Sequence, residues 1–391
     1  MRPPLPGASP EAREHFWAAL ARTGTPVWNK QGTEATFYWR NPGIIAPEAR
    51  PVHLSINRVT DKANVSRGTM HAIPGTDVWT LTLRLSPALR ASYGFFVDGP
   101  PPAGPPPHNA FFSFYDPFNR SRPLARDGDR GLSVLAGPRA HLQHEWESNH
   151  RAPLQGFLHT DTVGGRPRWL YLPPQPPEQL LIIHDAEEWF ERLGLPFAIE
   201  HAVTRGRLRP TAVLGISNNS AADRRTLLGG SLDFIATARA WASDVAGRQP
   251  GGANLSSIPH CVFAGFSLGG AVGIRLALEQ PDAVDAVLAM SPSMWWQPDN
   301  TGSPRDLDQQ ERSWLVDAVS PATAYSPRIR LSVGSNETSS VPWVKQLGHA
   351  LQSQQWNSDL SIYEGGHDVA CWRGLLIDQL TDVGVSATMN E

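Results

Sequence analysis

The chain has 391 residues, a formal net charge of −3, an apolar fraction of 40% and a charged fraction of 18%. That length accommodates two domains with sizeable cores, and the balance of apolar and charged residues excludes a disordered chain. A net charge so near zero gives no general attraction to nucleic acid or to a membrane surface, and no run of about 18 apolar residues is long enough to span a bilayer.

Two cysteines, Cys261 and Cys371, make no disulfide framework, and a reducing compartment fits. The opening Met1-Arg2-Pro3-Pro4-Leu5-Pro6-Gly7 has no apolar core, so no secretory signal is expected. Ser9-Pro10-Glu11 predicts a helix start: a cap residue, proline in the first turn and an acid beside it. Phe16, Trp17 and Leu20 fall on one helical face before Thr23-Gly24-Thr25-Pro26 stops it.

From residue 33 to about 98 the period becomes two. Strands are expected over 35–40, 52–56, 78–83 and 91–97, with turns at Asn41-Pro42-Gly43, Pro74-Gly75 and Ser86-Pro87. Short strands without intervening helices predict a small β-sandwich. It holds no acid–base cluster, and its alternating aromatic residues read as core. The proline-rich stretch 98–107 predicts a stiff, extended loop. A polar stretch to about 150 completes the first domain, and the boundary is expected near Pro153, dividing the chain into 1–152 and 153–391.

The second half alternates strands with helices. Strands are expected over 167–172, 179–183, 211–216, 260–264, 286–290, 329–333 and 360–363, with a helix over 234–245. That pattern predicts a parallel sheet covered on both faces. In open sheets of this kind functional groups gather beyond the carboxyl ends of the strands. Gly265-Phe266-Ser267-Leu268-Gly269-Gly270 stands there, between an apolar strand and an apolar helix, which is the context a G-x-S-x-G nucleophile elbow requires. Glycines beside Ser267 are expected because a Cβ there would collide with strand or helix. The turn lifts the hydroxyl out of the sheet and offers the N–H of Leu268 to an oxyanion.

A serine hydroxyl needs an imidazole to take its proton, and the imidazole needs an acceptor on its other nitrogen. His367 follows the last strand behind two glycines, and Glu337 follows the strand before it. Ser267, Glu337 and His367 stand in the triad order of α/β-hydrolases. Asp368 is the ring's immediate neighbour and badly placed to fold back onto it, so Glu337 is the better acid. The second oxyanion donor is expected from the loop after Ile183, at Ala186 or Glu187. No cysteine or histidine spacing suggests a metal site and no glycine loop suggests a phosphate, so no cofactor is expected.

These residues resemble the ferric enterobactin (enterochelin) esterases. Gly365-Gly366-His367-Asp368-Val369-Ala370-Cys371-Trp372-Arg373-Gly374 is close to that family's G-G-H-D-x-x-C-W-R-G. Ser293-Met294-Trp295-Trp296 is similar to its S-x-W-W, and Gly75-Thr76-Asp77-Val78-Trp79 and Ala91-Ser92-Tyr93-Gly94-Phe95 resemble motifs of its first domain. The resemblance implies an Ig-like sandwich followed by an α/β-hydrolase domain, cytoplasmic. It implies Ser267 as nucleophile, His367 as base and Glu337 as acid, acting on a catecholate siderophore whose iron enters as part of the substrate. Such a ligand is anionic and aromatic, and Arg224, Arg373, Trp189 and Trp296 are the expected substrate-binding residues, with Trp295 and Trp372 as further aromatic candidates. Two positions depart from the family pattern. Leu227 replaces the glutamate of R-x-x-E-L and would leave Arg224 without its nearest negative partner, and Ala186 replaces the glycine of D-G. Two alternatives stay open: an esterase D-type carboxylesterase or acyltransferase acting on an uncharged substrate, and a siderophore-binding protein impaired in catalysis.

Overall fold

In the computed structural model, residues 2–41, 51–97, 99–100, 112–147, 153–249 and 252–385 are described. The chain forms two compact units: 1–142 together with 364–371, and 143–363 together with 372–391. The first unit's continuous part ends ten residues before the expected boundary at 152–153. Most of the proline-rich stretch 98–107, and Pro42-Gly43 of the expected turn, lie outside the described residues.

The first unit opens with the helix Pro10–Thr23, capped by Ser9, whose Oγ accepts the Ala12 N–H, and stopped by Gly24 at φ 84°. Two four-stranded antiparallel sheets follow. Glu34–Arg40 pairs with Val78–Arg84, flanked by the short strands Val27–Trp28 and His71–Ala72. Arg90–Phe96 pairs with His53–Ile56 and Arg130–Ala136, and Ala125–Asp127 closes that sheet's edge. Phe37, Trp79 and Leu81 of one sheet share a core with Leu54, Tyr93, Phe95 and Leu135 of the other. Each such side chain adds about 1.5–3 kcal/mol by leaving water, so the alternating apolar residues hold the two layers together. Arg130–Ala136 was expected only as part of a polar stretch. Its hairpin partner ends at Asp127, and Gly128 supplies the positive φ the turn needs.

The second unit is a mixed α/β fold around one eight-stranded sheet. Its strands are β1 (Phe157–Val163), β2 (Arg166–Leu172), β3 (Gln179–His184), β4 (Thr211–Ile216), β5 (His260–Phe266), β6 (Ala286–Met290), β7 (Arg328–Gly334) and β8 (Ser358–Tyr363). They lie in the order β1-β2-β4-β3-β5-β6-β7-β8. β3 to β8 are parallel, whereas β1 and β2 run antiparallel. The expectation of an all-parallel sheet fails at that edge for a topological reason. Gly164-Gly165 closes a two-residue hairpin between β1 and β2, and a parallel crossover needs a dozen residues or more. β3, β4 and β6 are buried throughout and β5 over 261–265, as their continuous apolar runs require.

Both cysteines are buried thiols outside any disulfide. Burial pushes the Cys261 thiol up to about 11, and the Cys371 Sγ donates to the Arg90 carbonyl at 3.2 Å. At pH 8 the native protein is therefore expected to leave a disulfide reagent such as DTNB unreacted, with both thiols titrating only in denaturant. Rapid reaction of either thiol in the native state would contradict this packing.

Candidate active site

Three neighbouring strands of the central sheet, β3, β5 and β6, end one residue before a non-glycine residue with positive φ. These are Asp185 (57°), Ser267 (56°) and Ser291 (46°). A left-handed conformation costs a side-chain-bearing residue about 1–2 kcal/mol, so it persists only where surrounding bonds over-determine it. All three are polar and all stand at the carboxyl edge of the sheet.

Ser267 makes the turn from β5 into the helix Leu268–Glu279. Its N–H donates to the Met290 carbonyl and its carbonyl accepts the Ser293 N–H, both at 2.9 Å. Its Oγ stands 3.4 Å from Ser293 Oγ. A Cβ on Gly265 would lie 2.4 Å from the Gly269 carbonyl carbon, so the helix can approach β5 only over glycine. Gly269 is different: a Cβ there would make ordinary contacts at 3.8–3.9 Å with His184 and Asp185. The expected collision thus holds at Gly265 and not at Gly269, while at Gly270 a Cβ would come within 3.1 Å of Pro292 Cα and 3.2 Å of the Met290 carbonyl oxygen. Leu268 is the first helical residue, and its N–H has no intrahelical acceptor.

Asp185 is gripped from three directions. Arg224, in the helix Ala221–Gly229, donates Nε to Oδ1 at 2.6 Å and Nη2 to Oδ2 at 2.7 Å. Asn218 Nδ2 donates to Oδ1 at 2.6 Å. The Asp185 N–H donates to His184 Nδ1 at 2.7 Å. Burial alone would raise the Asp185 carboxyl, but the Arg224 guanidinium outweighs it and holds the group well below the usual carboxylate range. Ala186 follows, fully buried, and leads into the π-helix Glu187–Leu193. Burial, and after it the Asp185 charge, raise the Glu187 carboxyl.

Glu337 is buried in the turn after β7. Its Oε1 accepts from Ser291 Oγ at 2.6 Å, from the Gly334 N–H at 2.9 Å and from Tyr363 OH at 3.3 Å. Trp372 Nε1 donates to Ser291 Oγ at 3.1 Å and to Tyr363 OH at 2.9 Å. The Trp372 ring stacks on Phe266 with centroids 4.4 Å apart. Nucleophile turn and acid are thus joined inside one unit, through Met290–Ser293 on one path and Trp372–Phe266 on another. Ser291, Tyr363 and Phe266 escaped sequence reasoning. Their only signals were a polar residue directly after a strand and an aromatic one inside the elbow.

His367 lies in 364–371, the segment that packs as part of the first unit. There the Arg90 N–H donates to the Glu364 carbonyl at 3.0 Å, and Asn57 Nδ2 donates to the His367 carbonyl at 3.1 Å. A Cβ on Gly366 would stand 2.4 Å from Asn57 Oδ1. The buried Asp368 carboxylate accepts from the Ser92 and Ala370 N–H groups, so it ties its own loop to the strand Arg90–Phe96. Among the described residues, no three or more His, Cys, Asp or Glu side chains gather in a way that could hold a metal ion.

Residues 34–146 match the family described as "Enterochelin esterase, N-terminal", and residues 166–383 the family described as "Putative esterase". The iron(III) salmochelin esterase of Escherichia coli O6:H1 (strain CFT073) is 35% identical over 373 residues, covering 90% of this chain and 88% of its own. The chain belongs to the ferric enterobactin (enterochelin) esterase family. The iron(III) enterobactin esterase of Dickeya dadantii is 29% identical, over 95% of this chain and 93% of its own. The enterobactin esterase of Shigella flexneri, crystallised in the presence of enterobactin, has the same fold. It superimposes with a TM-score of 0.73 at 24% identity, covering 95% of this chain and 97% of its own.

Both departures from the pattern expected of enterochelin esterases have local explanations. Ala186 sits at φ −63° and ψ −29°, where alanine carries no penalty. The space for its methyl comes from Gly215, whose Cβ would lie 2.8 Å from it. Arg224 is not left without a negative partner by Leu227, because its partner is Asp185. The residues expected to hold an anionic aromatic ligand need correction too. Trp189 is 0% exposed, packed between Trp146 and Phe266. Trp296 is 2% exposed, edge-on to Trp314 and covered by the Arg275 guanidinium at 4.3 Å. Arg373 is 5% exposed and donates Nε to Gln143 Oε1 at 2.7 Å. Trp372 is buried in the Glu337 network. Large apolar rings at the strand ends were needed for the core, and the arginines for pairing inside it.

The unequal space around the elbow has a direct test. Gly265→Ala is expected to lose fold and activity, because two backbone segments must separate. Gly269→Ala is expected to keep the fold, with stability changed by no more than about 1 kcal/mol. Thermal melts of the two variants decide it, and equal losses would refute the asymmetry.

Proposed function

We propose that this chain is a serine esterase cleaving the ester bonds of a ferric catecholate siderophore of the enterobactin trilactone type, so that the broken chelator releases its iron. Family membership supports the reading, as do the relatives named iron(III) salmochelin and iron(III) enterobactin esterase. The observation that carries it is Ser267 at φ 56° on a strand-to-helix turn, over a glycine that no other residue can replace. The second unit is read as an α/β-hydrolase fold and the first as an Ig-like sandwich. No resident cofactor is needed, and iron enters with the substrate. A small-molecule substrate is the only partner proposed, without nucleic acid or membrane. Among the described residues no helix is long and apolar enough to cross a membrane. The reducing compartment suggested by two cysteines outside any disulfide makes the cytoplasm the proposed location.

The proposed chemistry is acyl transfer. Ser267 Oγ attacks the ester carbonyl carbon while His367 takes the hydroxyl proton. The carbonyl electron pair moves to oxygen, and the N–H groups of Leu268 and Ala186 stabilise that charge by donating hydrogen bonds to it. Collapse breaks the C–O bond, His367 returns the proton to the leaving alkoxide, and an acyl-enzyme remains. Water attacks it by the same route in reverse, freeing a carboxylic acid and Ser267. Glu337, immobilised through Oε1, holds the imidazole in the productive tautomer and balances its charge.

Ser267→Ala is expected to lower kcat by roughly 10⁵–10⁶-fold while a non-hydrolysable trilactone analogue still binds. Glu337→Gln is expected to cost about one to two orders of magnitude less than His367→Ala. Steady-state kinetics on ferric trilactone and fluorophosphonate labelling of Ser267 test both. An active alanine variant, or a silent Glu337→Gln beside a crippling Asp368→Asn, would overturn the assignment.

A further inference from the structure

The sequence makes Arg224 an expected substrate-binding cation. Its surroundings describe another role. One edge of its guanidinium, Nε and Nη2, is taken by Asp185 at 2.6 and 2.7 Å, and its carbon lies over the Phe266 ring, 5.8 Å from the centroid. Its side chain is 18% exposed. Its own backbone is fixed, because the Arg224 N–H donates to the carbonyl of Ser220, whose Oγ also caps the helix by accepting the Asp223 N–H.

The carboxylate it grips belongs to a residue at φ 57°. Such a turn must be held, and backbone bonds alone do little of it. The Asp185 carbonyl accepts the Glu188 N–H at 3.0 Å and the Trp189 N–H at a long 3.4 Å. The turn decides where the next N–H points, and that is the N–H of Ala186. On its other side, Asp185 Oδ2 lies 3.9 Å from where a Gly269 Cβ would stand, against the helix that begins at Leu268. Arg224 therefore ties together the β3 turn, the residue before the nucleophile and the first turn of the helix behind it.

We infer that Arg224 is the positioning residue of the oxyanion site: through Asp185 and Phe266 it sets the Ala186 N–H against the Leu268 N–H. This rests on the esterase reading above. A paired guanidinium has little charge left to steer an anionic substrate. A rigid fork does supply angular precision that an ammonium cannot. Two donors must meet one developing oxygen within a few tenths of an ångström, and a misplacement of about 1 Å costs roughly 10²-fold in rate.

The test compares Arg224→Met, Arg224→Lys and Arg224→Met/Asp185→Asn with the wild-type protein. Each is assayed on a neutral aryl ester and on a ferric tris-catecholate trilactone, and against a trifluoromethyl ketone that forms the tetrahedral adduct. The expected result is a kcat loss of roughly 10–10²-fold, equal on both substrates, with little change in KM and a parallel loss of ketone affinity. Lysine rescues little of it, and the double variant loses no more than Arg224→Met alone. Should Arg224→Met fail to fold, Arg224→Lys carries the same comparison. A loss confined to the ferric substrate, borne by KM and abolished by salt, would overturn the inference and make Arg224 a docking charge. A lowered melting temperature with unchanged kcat and ketone affinity would overturn it in favour of a purely structural pair. A wild-type protein that neither hydrolyses either ester nor labels with fluorophosphonate would overturn the esterase reading itself, and this role with it.

Discussion

The approach of the helix Leu268–Glu279 to β5 at Gly265 is the constraint on which the second unit's chemistry depends. A strand and a helix normally keep side chains between them. Here the Gly265 position and the Gly269 carbonyl stand so close that a single Cβ would meet the carbonyl carbon at 2.4 Å. That closeness forces the turn between them into the left-handed region at Ser267 and fixes both ends of the peptide. The serine N–H goes to Met290 and its carbonyl to Ser293. The strain of one residue is offset by bonds to the neighbouring strand end, and those bonds bring the polar residues after β6 beside the nucleophile.

The same solution is used three times along one edge. Asp185, Ser267 and Ser291 all turn with positive φ directly after a strand, and each is tied down differently. Asp185 is held by a guanidinium, Ser267 by two backbone bonds, and Ser291 through its hydroxyl to Glu337 and Trp372. Buried polar groups that are fully bonded lend rigidity, because each unmade bond would cost the full desolvation of its atoms. A turn that could relax would let the hydroxyl, the carboxylate and the N–H donors drift apart. The aromatic residues at this edge serve the same end. Trp372 carries a donor to the acid's network and a face to Phe266, so the indole joins the two halves of the arrangement inside the core.

The two departures from the enterochelin esterase pattern also show how a local change is absorbed. Ala186 needs no glycine conformation, and Gly215 on β4 leaves room for its methyl. Leu227 removes an acid from the arginine's own helix, yet the arginine's charge is answered by a carboxylate in the turn after β3. In both cases the compensating residue is more than 25 positions away in the chain, so no local reading of the motif could find it.

The sequence by itself determined the elements and the chemistry's vocabulary. Period-two and apolar-run patterns located most strands, the cap at Ser9 located the first helix, and the glycine-flanked serine located the elbow, because each depends on residues within a few positions of one another. The short strand Ala125–Asp127 and the edge strand β1 escaped, since edge strands bury too little to need a pattern. What tertiary structure alone decided was which charges and rings are spent inside the protein. Arg224, Arg373, Trp189, Trp296 and Trp372 have the composition of a site for an anionic aromatic ligand. Instead they meet Asp185, Gln143, Phe266, Arg275 and Ser291. Whether a cation faces solvent or a carboxylate depends on partners brought in by the crossing of strands far apart in the chain, and that pairing is a property of the fold.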